Sequence, residues 1–124
     1  MVVPREAVVE ALRQVRQQVR WRPGKAQPHL AKRVALGHLP AQATVATYEA
    51  LIQAVVQTPT AVVWLYHWDT VAYPTVVSEV AGVLWLVMLG IDGVMETAFP
   101  PEDPPTYLAD PRFTRLGTME ELAI

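Results

Sequence analysis

His29, Lys32, Arg33 and His38 bring four proton-transferring or cationic side chains into one short stretch, with no carboxylate among them. An imidazole titrates near neutrality and can give or take a proton, while lysine and arginine stabilise charge developing on a phosphate. Together these residue types suit cleavage of a phosphodiester. The plainer alternative is that His38 closes a helix end and the others are solvated. A second candidate is Thr97 in Met95-Glu-Thr-Ala-Phe-Pro100. Strand alternation predicts Glu96 and Ala98 on one face and Met95, Thr97 and Phe99 on the other, where a threonine hydroxyl can meet a phosphate oxygen. Other chemistries find little support. The chain has no cysteine, the lone Ser78 lacks a nucleophile-elbow context, and no Gly-rich phosphate loop occurs. His67-Trp-Asp69 could hold a metal only if another histidine converged on it.

The charge is polarised along the chain. Up to His38, eight Lys and Arg stand against two acids, net +6; from Leu39 onward two stand against ten, net −8. Such asymmetry fits either a polyanion partner or a solvated basic helix face.

The elements that must position these residues follow from periodicity. Val8, Leu12, Val15 and Val19 recur at helical spacing, predicting an amphipathic helix from Pro4 through Trp21, with Arg13, Arg16 and Arg20 as a basic stripe. Arg22-Pro-Gly-Lys25 breaks it, and His29 to Leu36 forms a second helix ending at Gly37. A third runs from about Thr44 to Gln57, stopped by Pro59, with Tyr48, Ile52, Val55 and Val56 facing inward. From Ala61 the chain turns β-branched and aromatic. Strands are expected over Ala61–Trp68, Tyr73–Val80, Gly82–Leu89 and Val94–Phe99, with Pro74 suggesting an edge position and Asp92-Gly93 a hairpin. Trp64, Trp68 and Trp85 are expected in the core. Pro100 to Pro105 is expected to be a connector or cover loop, and Thr118-Met-Glu-Glu121 has capping-box spacing for a last helical turn.

Helices first and strands after, joined by tight turns, define an α+β fold: N-terminal helices packed on one face of a three- to four-stranded antiparallel sheet. The 124 residues suit a single domain spanning 1–124. The longest apolar run, Val80 to Ile91, is too short to cross a membrane, and the opening Met-Val-Val-Pro-Arg-Glu reaches charge too early for a signal peptide, so a cytoplasmic protein is expected. The apolar stretch Val83 to Leu89, read as a sheet edge, is a candidate surface for homodimerisation.

The basic segment His29-Leu-Ala-Lys-Arg33 with Gly37-His38, a helix ending in Thr58-Pro59, and strands closing on Thr97-Ala-Phe99 resemble the BECR superfamily of metal-independent ribonucleases. That group includes barnase, EndoU, colicin-type and RelE-type nuclease domains and toxin domains of phages and bacteria. The resemblance covers roughly His29 to Phe99. It implies that His29 is a general base or acid, Lys32 or Arg33 stabilises the transition state, Thr97 positions the phosphate and His38 is the second proton-transfer group. It departs from the simplest family pattern in having no second histidine close behind Lys32-Arg33. The implied reaction is attack of a ribose 2′-hydroxyl on the adjacent phosphorus, with RNA, tRNA included, as substrate and neither metal nor cofactor. An inhibitor or antitoxin protein is the implied partner. The competing expectation is a non-catalytic interaction or immunity-like domain that meets a basic partner through its acidic later part.

Overall fold

A computed structural model describes residues 3–124, in which helices α1 (Arg5–Gln17), α2 (Ala26–Ala35) and α3 (Val45–Val56) precede a five-stranded sheet. The strands are β1 (Val62–Trp68), β2 (Val71–Val80), β3 (Val83–Leu89), β4 (Met95–Phe99) and β5 (Phe113–Thr118), with a short helix α4 (Pro104–Leu108) between the last two. The fold is therefore α+β, with one strand more than the sequence predicts. Strand order is β4-β3-β2-β1-β5, and every neighbouring pair is antiparallel.

α1 buries Val8, Leu12 and Val15, the predicted apolar stripe. It stops at Gln17, not Trp21. The following residues are drawn into extended pairing with β4, where Met95 N–H donates to the Arg20 carbonyl at 2.8 Å and Trp21 bridges Met95. This tertiary pairing partly covers a sheet edge, and it removes Arg20 from the expected basic stripe. α3 matches its expected limits, because Thr44 and Thr47 form a reciprocal capping box and Gln57 closes the other end. Its Tyr48, Ile52, Val55 and Val56 pack with α1 against Val63, Val76, Val87 and Ala98 of the sheet. At about 25 cal/mol per Å² of apolar area, burial on this scale is what holds helices of such modest length in place.

Two connections are two-residue hairpins. Trp68 pairs with Val71 across Asp69 (φ 56°), and Val80 with Val83 across Ala81 (φ 51°) and Gly82 (φ 80°), the left-handed geometry that matches strand twist. β2 is central rather than an edge strand. Pro74 is tolerated because the β2–β3 ladder begins only at Thr75, so at Pro74 the strand is paired with β1 alone. β3 lies between β2 and β4, so Val83 to Leu89 is not the dimerisation edge that its apolarity suggests.

After β4 the chain must cross the whole sheet to reach β5 beside β1. It does so over the face opposite α1–α3, where Tyr107 of α4 sits against both Phe99 and Phe113 and Leu108 joins Val77, Leu86 and Met88 in a second, smaller core. Part of the expected connector loop is thus the helical cover α4. Thr118 and Glu121 do make the reciprocal capping-box bonds, yet the chain continues only as turns. Among the tryptophans Trp85 is buried, Trp64 is half-buried with its indole N–H unpartnered, and Trp68 is 54% exposed, against the expectation of a core residue. No helix of the described residues is long and apolar enough to cross a membrane.

Candidate functional site

The C-terminal end of α2 fixes the first part of the site. Gly37 takes φ 76°, its N–H donates to Val34 O at 3.0 Å, and the His38 N–H donates to Arg33 O at 2.8 Å. This left-handed helix closure needs the glycine, and it folds His38 back over the last turn. Arg33 Nη1 then donates to His38 Nδ1 at 3.2 Å. With Nδ1 accepting, the ring carries its proton on Nε2.

β4 supplies the second part. The β3–β4 register slips between Met88 and Leu89, so Met88 faces Thr97 while Leu89 faces Met95 and Glu96 is left over as a bulge. The sequence expectation that Met95 shares a face with Thr97 is therefore wrong. Met95 falls with Ala98 in the helix-covered core, Glu96 turns out to Arg22, and Thr97 and Phe99 share the opposite face with Met88 and Leu86. A strict two-residue alternation cannot anticipate the extra residue.

These elements enclose an open cavity of about 600 Å³. Lys32, Arg33, Leu36 and His38 form one wall, Thr97 and Phe99 the next, and Pro100 to Asp103 with Thr106 and Tyr107 the third. Four of the five candidates converge here. His29 does not line the cavity: one helical turn from Arg33, its ring packs on Trp21 at 5.7 Å, and the Trp21 indole donates to Glu49 at 2.9 Å.

Arg33 is the unusual residue of the site. It is only 4% exposed, its guanidinium lies 5.6 Å from the Phe99 ring centre, its Nε is buried without a partner, and among the described residues it forms no ion pair. Burial lowers its pKa from the ordinary value. His38 is also pushed down, first by burial and then by Arg33, with Glu102 opposing. Burial and the charges of Arg33, Lys25 and Lys32 lower His29 in the same way. Both rings are thus biased toward the neutral form, which can accept a proton.

Several of the other early cations are satisfied elsewhere. Arg22 reaches Asp92 at 3.3 Å and Glu96 at 2.9 Å, and Arg20 binds Gln14 Oε1 at 2.6 Å and the Asp92 carbonyl at 2.8 Å. Space for this cluster depends on Gly90, where a Cβ would lie 2.9 Å from Arg22 Nη2. Arg16 turns to Gln57 of α3.

Sequence reasoning missed Tyr107, Thr106 and the rim acids Glu102 and Asp103 as cavity residues. The Pro100–Pro105 run was the one signal available, since a stiff connector after β4 must stay close to Thr97. The cavity can bind an anion on its cationic wall beside aromatic surface, with a neutral imidazole in reach. No protein-family model, curated protein or solved structure matches this chain.

Proposed function

We propose that the protein is a metal-independent endoribonuclease of toxin-like type that cleaves RNA by attack of the 2′-hydroxyl on the adjacent phosphodiester. One observation carries the reading: Arg33, a nearly buried guanidinium with no carboxylate partner, sits in a cavity with His38 and Thr97. A buried charge without its counterion costs several kcal/mol, and an anionic ligand offsets that cost. The phosphate lies between Arg33, Lys32 and the Thr97 hydroxyl. As it draws the Arg33 hydrogen bonds to itself, Nδ1 of His38 is released for proton transfer. The 2′-oxygen bonds to phosphorus as its proton passes to Nδ1 of His38, the bond to the 5′-oxygen breaks, and that oxygen takes up the proton that the His38 imidazolium gives back. The products are a 2′,3′-cyclic phosphate and a 5′-hydroxyl. His38 acts inside the cavity, whereas His29, its ring held against Trp21 outside it, takes no part in the transfer. Arg33 and Lys32 balance the charge gathering on the phosphoryl oxygens.

The test is digestion of total RNA and tRNA in EDTA by the purified protein, with His38→Ala, His29→Ala and Thr97→Val proteins beside it. Cleavage leaving cyclic-phosphate ends, reduced about 100-fold or more by His38→Ala, is the expected result. Intact RNA, or equal cleavage by all four proteins, overturns the proposal. A second reading, a non-catalytic domain with a basic protein partner, draws support from Glu102 and Asp103 on the cavity rim. It predicts no cleavage, and partner binding that Glu102→Gln weakens.

A further inference from the structure

The cavity of about 600 Å³ has the size of a pocket for a whole small molecule, about 300–1,000 Å³, so a phosphate on its cationic wall leaves room along the third wall. That wall differs in chemistry from the first. Tyr107 supplies ring surface: it lines the cavity, is 38% exposed, and is held by Phe99 at 5.5 Å and Phe113 at 5.6 Å between ring centres. Phe99 already carries the Arg33 guanidinium and is only half-exposed, so Tyr107 is the more open ring of the two. The two rim acids also differ. Asp103 is committed to its own helix, where it caps α4 by accepting from the Thr106 hydroxyl at 2.7 Å and the Thr106 N–H at 3.4 Å. Glu102 forms no ion pair among the described residues, and its charge acts on His38. Proline pairs on either side, Pro100-Pro101 and Pro104-Pro105, restrict the backbone that presents it.

We infer that this wall is a subsite for one nucleobase bearing an amino group, cytosine, adenine or guanine, next to the bound phosphate, and that it disfavours uracil. The inference rests on the ribonuclease reading and adds a choice of base to it. A second phosphate is repelled from this wall by the Glu102 carboxylate, so the part of the strand that meets it is an uncharged one. Tyr107 stacks on the face of a base whichever base it is. Glu102 then reads the edge. A carboxylate only accepts hydrogen bonds, and the amino groups of cytosine, adenine and guanine donate them, whereas uracil sets two carbonyl oxygens around its single N–H. Glu102 is exposed, so water competes for the bond and the preference is moderate.

The experiment measures affinity of the full chain for single strands of about four nucleotides whose 2′-O-methyl groups block cleavage: one all cytosine, one all uracil, and one with no bases. Cytosine and uracil are alike in size, so their ratio isolates the edge, and the ratio of the cytosine strand to the base-free strand adds the stacking. Expected is binding of the cytosine strand about tenfold tighter than the uracil strand, and of the uracil strand about tenfold tighter than the base-free one. Tyr107→Ala should lower the ratio of cytosine to base-free strand about tenfold. Glu102→Gln, an exposed change to an amide that both donates and accepts, should bring cytosine and uracil strands within about twofold. Both readouts are ratios within one protein, so a partly unfolded variant does not distort them. Equal affinity for the cytosine and uracil strands in the unaltered protein, or ratios unmoved by these two substitutions, overturns the subsite, and His38-dependent cleavage of RNA then still supports the ribonuclease. Failure of every strand to bind, with no cleavage of any RNA, overturns both.

Discussion

Arg22 and Arg33 belong to the same basic opening of the chain, and they end in opposite surroundings. Arg22 is exposed and joined to Asp92 and Glu96 across the β3–β4 turn, so its charge is balanced by the acidic later part of the sequence. Arg33 is nearly buried, stacked on Phe99, and bonded only to an imidazole. One cation fastens the segment after α1 to the hairpin, while the other is left without a carboxylate partner among the described residues. Total charge is therefore a poor guide to a binding surface, and the charge left over after internal pairing is a better one.

The strongest way to break this comparison is Arg33→Met, which removes the charge and keeps the bulk. RNA cleavage is expected to fall about 100-fold or more, while the thermal midpoint holds or rises, because an uncompensated buried charge has gone. A midpoint that drops sharply would make Arg33 a structural residue like Arg22. Next in size is Tyr48→Phe. The Tyr48 hydroxyl donates to the Ala98 carbonyl between Thr97 and Phe99, and burial raises its pKa to about 12. Losing that bond is expected to cost about 1–3 kcal/mol in denaturant unfolding and to loosen the strand that carries Thr97. A stability equal to that of the unaltered protein would mean that β4 is positioned without it.

The two histidines give a pH signature. Their folded pKa values are lowered below 6.5, so the unfolded chain binds protons more readily than the folded one. Stability is complete above 6.5 and falls as the pH drops from there through the folded values. His38→Gln should flatten part of that decline in unfolding titrations. Bound phosphate should act the other way, raising the His38 pKa and binding more tightly toward pH 6, which calorimetry at two pH values would show. The smallest effect is expected for Arg22→Ala. Its exposed ion pairs are worth at most about 1 kcal/mol, and cleavage should not change.

Helices α1 to α3 were legible in the sequence because their signals are local. Apolar spacing marked α1 and α3, the Thr44 cap and Pro59 bounded α3, and Gly37 closed α2 in a way that fixes His38 over Arg33. Strands β1 to β4 were legible from β-branched and aromatic runs with turn residues between them. β5 was not, because Phe113-Thr-Arg-Leu-Gly-Thr118 has little apolar pattern and gains its partner from β1, far away in sequence. Nor was the exposure of Trp68, a tryptophan at a hairpin tip that resembles a core residue by type alone.

The amino-acid sequence by itself determined the α+β order, the helix limits that caps and prolines dictate, and the grouping of His29, Lys32, Arg33 and His38 on and just after one helix. Only the tertiary structure decided which of them share a cavity, that Arg33 is buried without a counterion, and that Thr97 faces away from Met95. Each of these depends on pairing between distant segments, namely the β3–β4 bulge, the extension of the chain after α1 along β4, and the crossing of α4 over the sheet. Local propensity carries no information about such contacts, because their free energy exists only once the partner strand is in place.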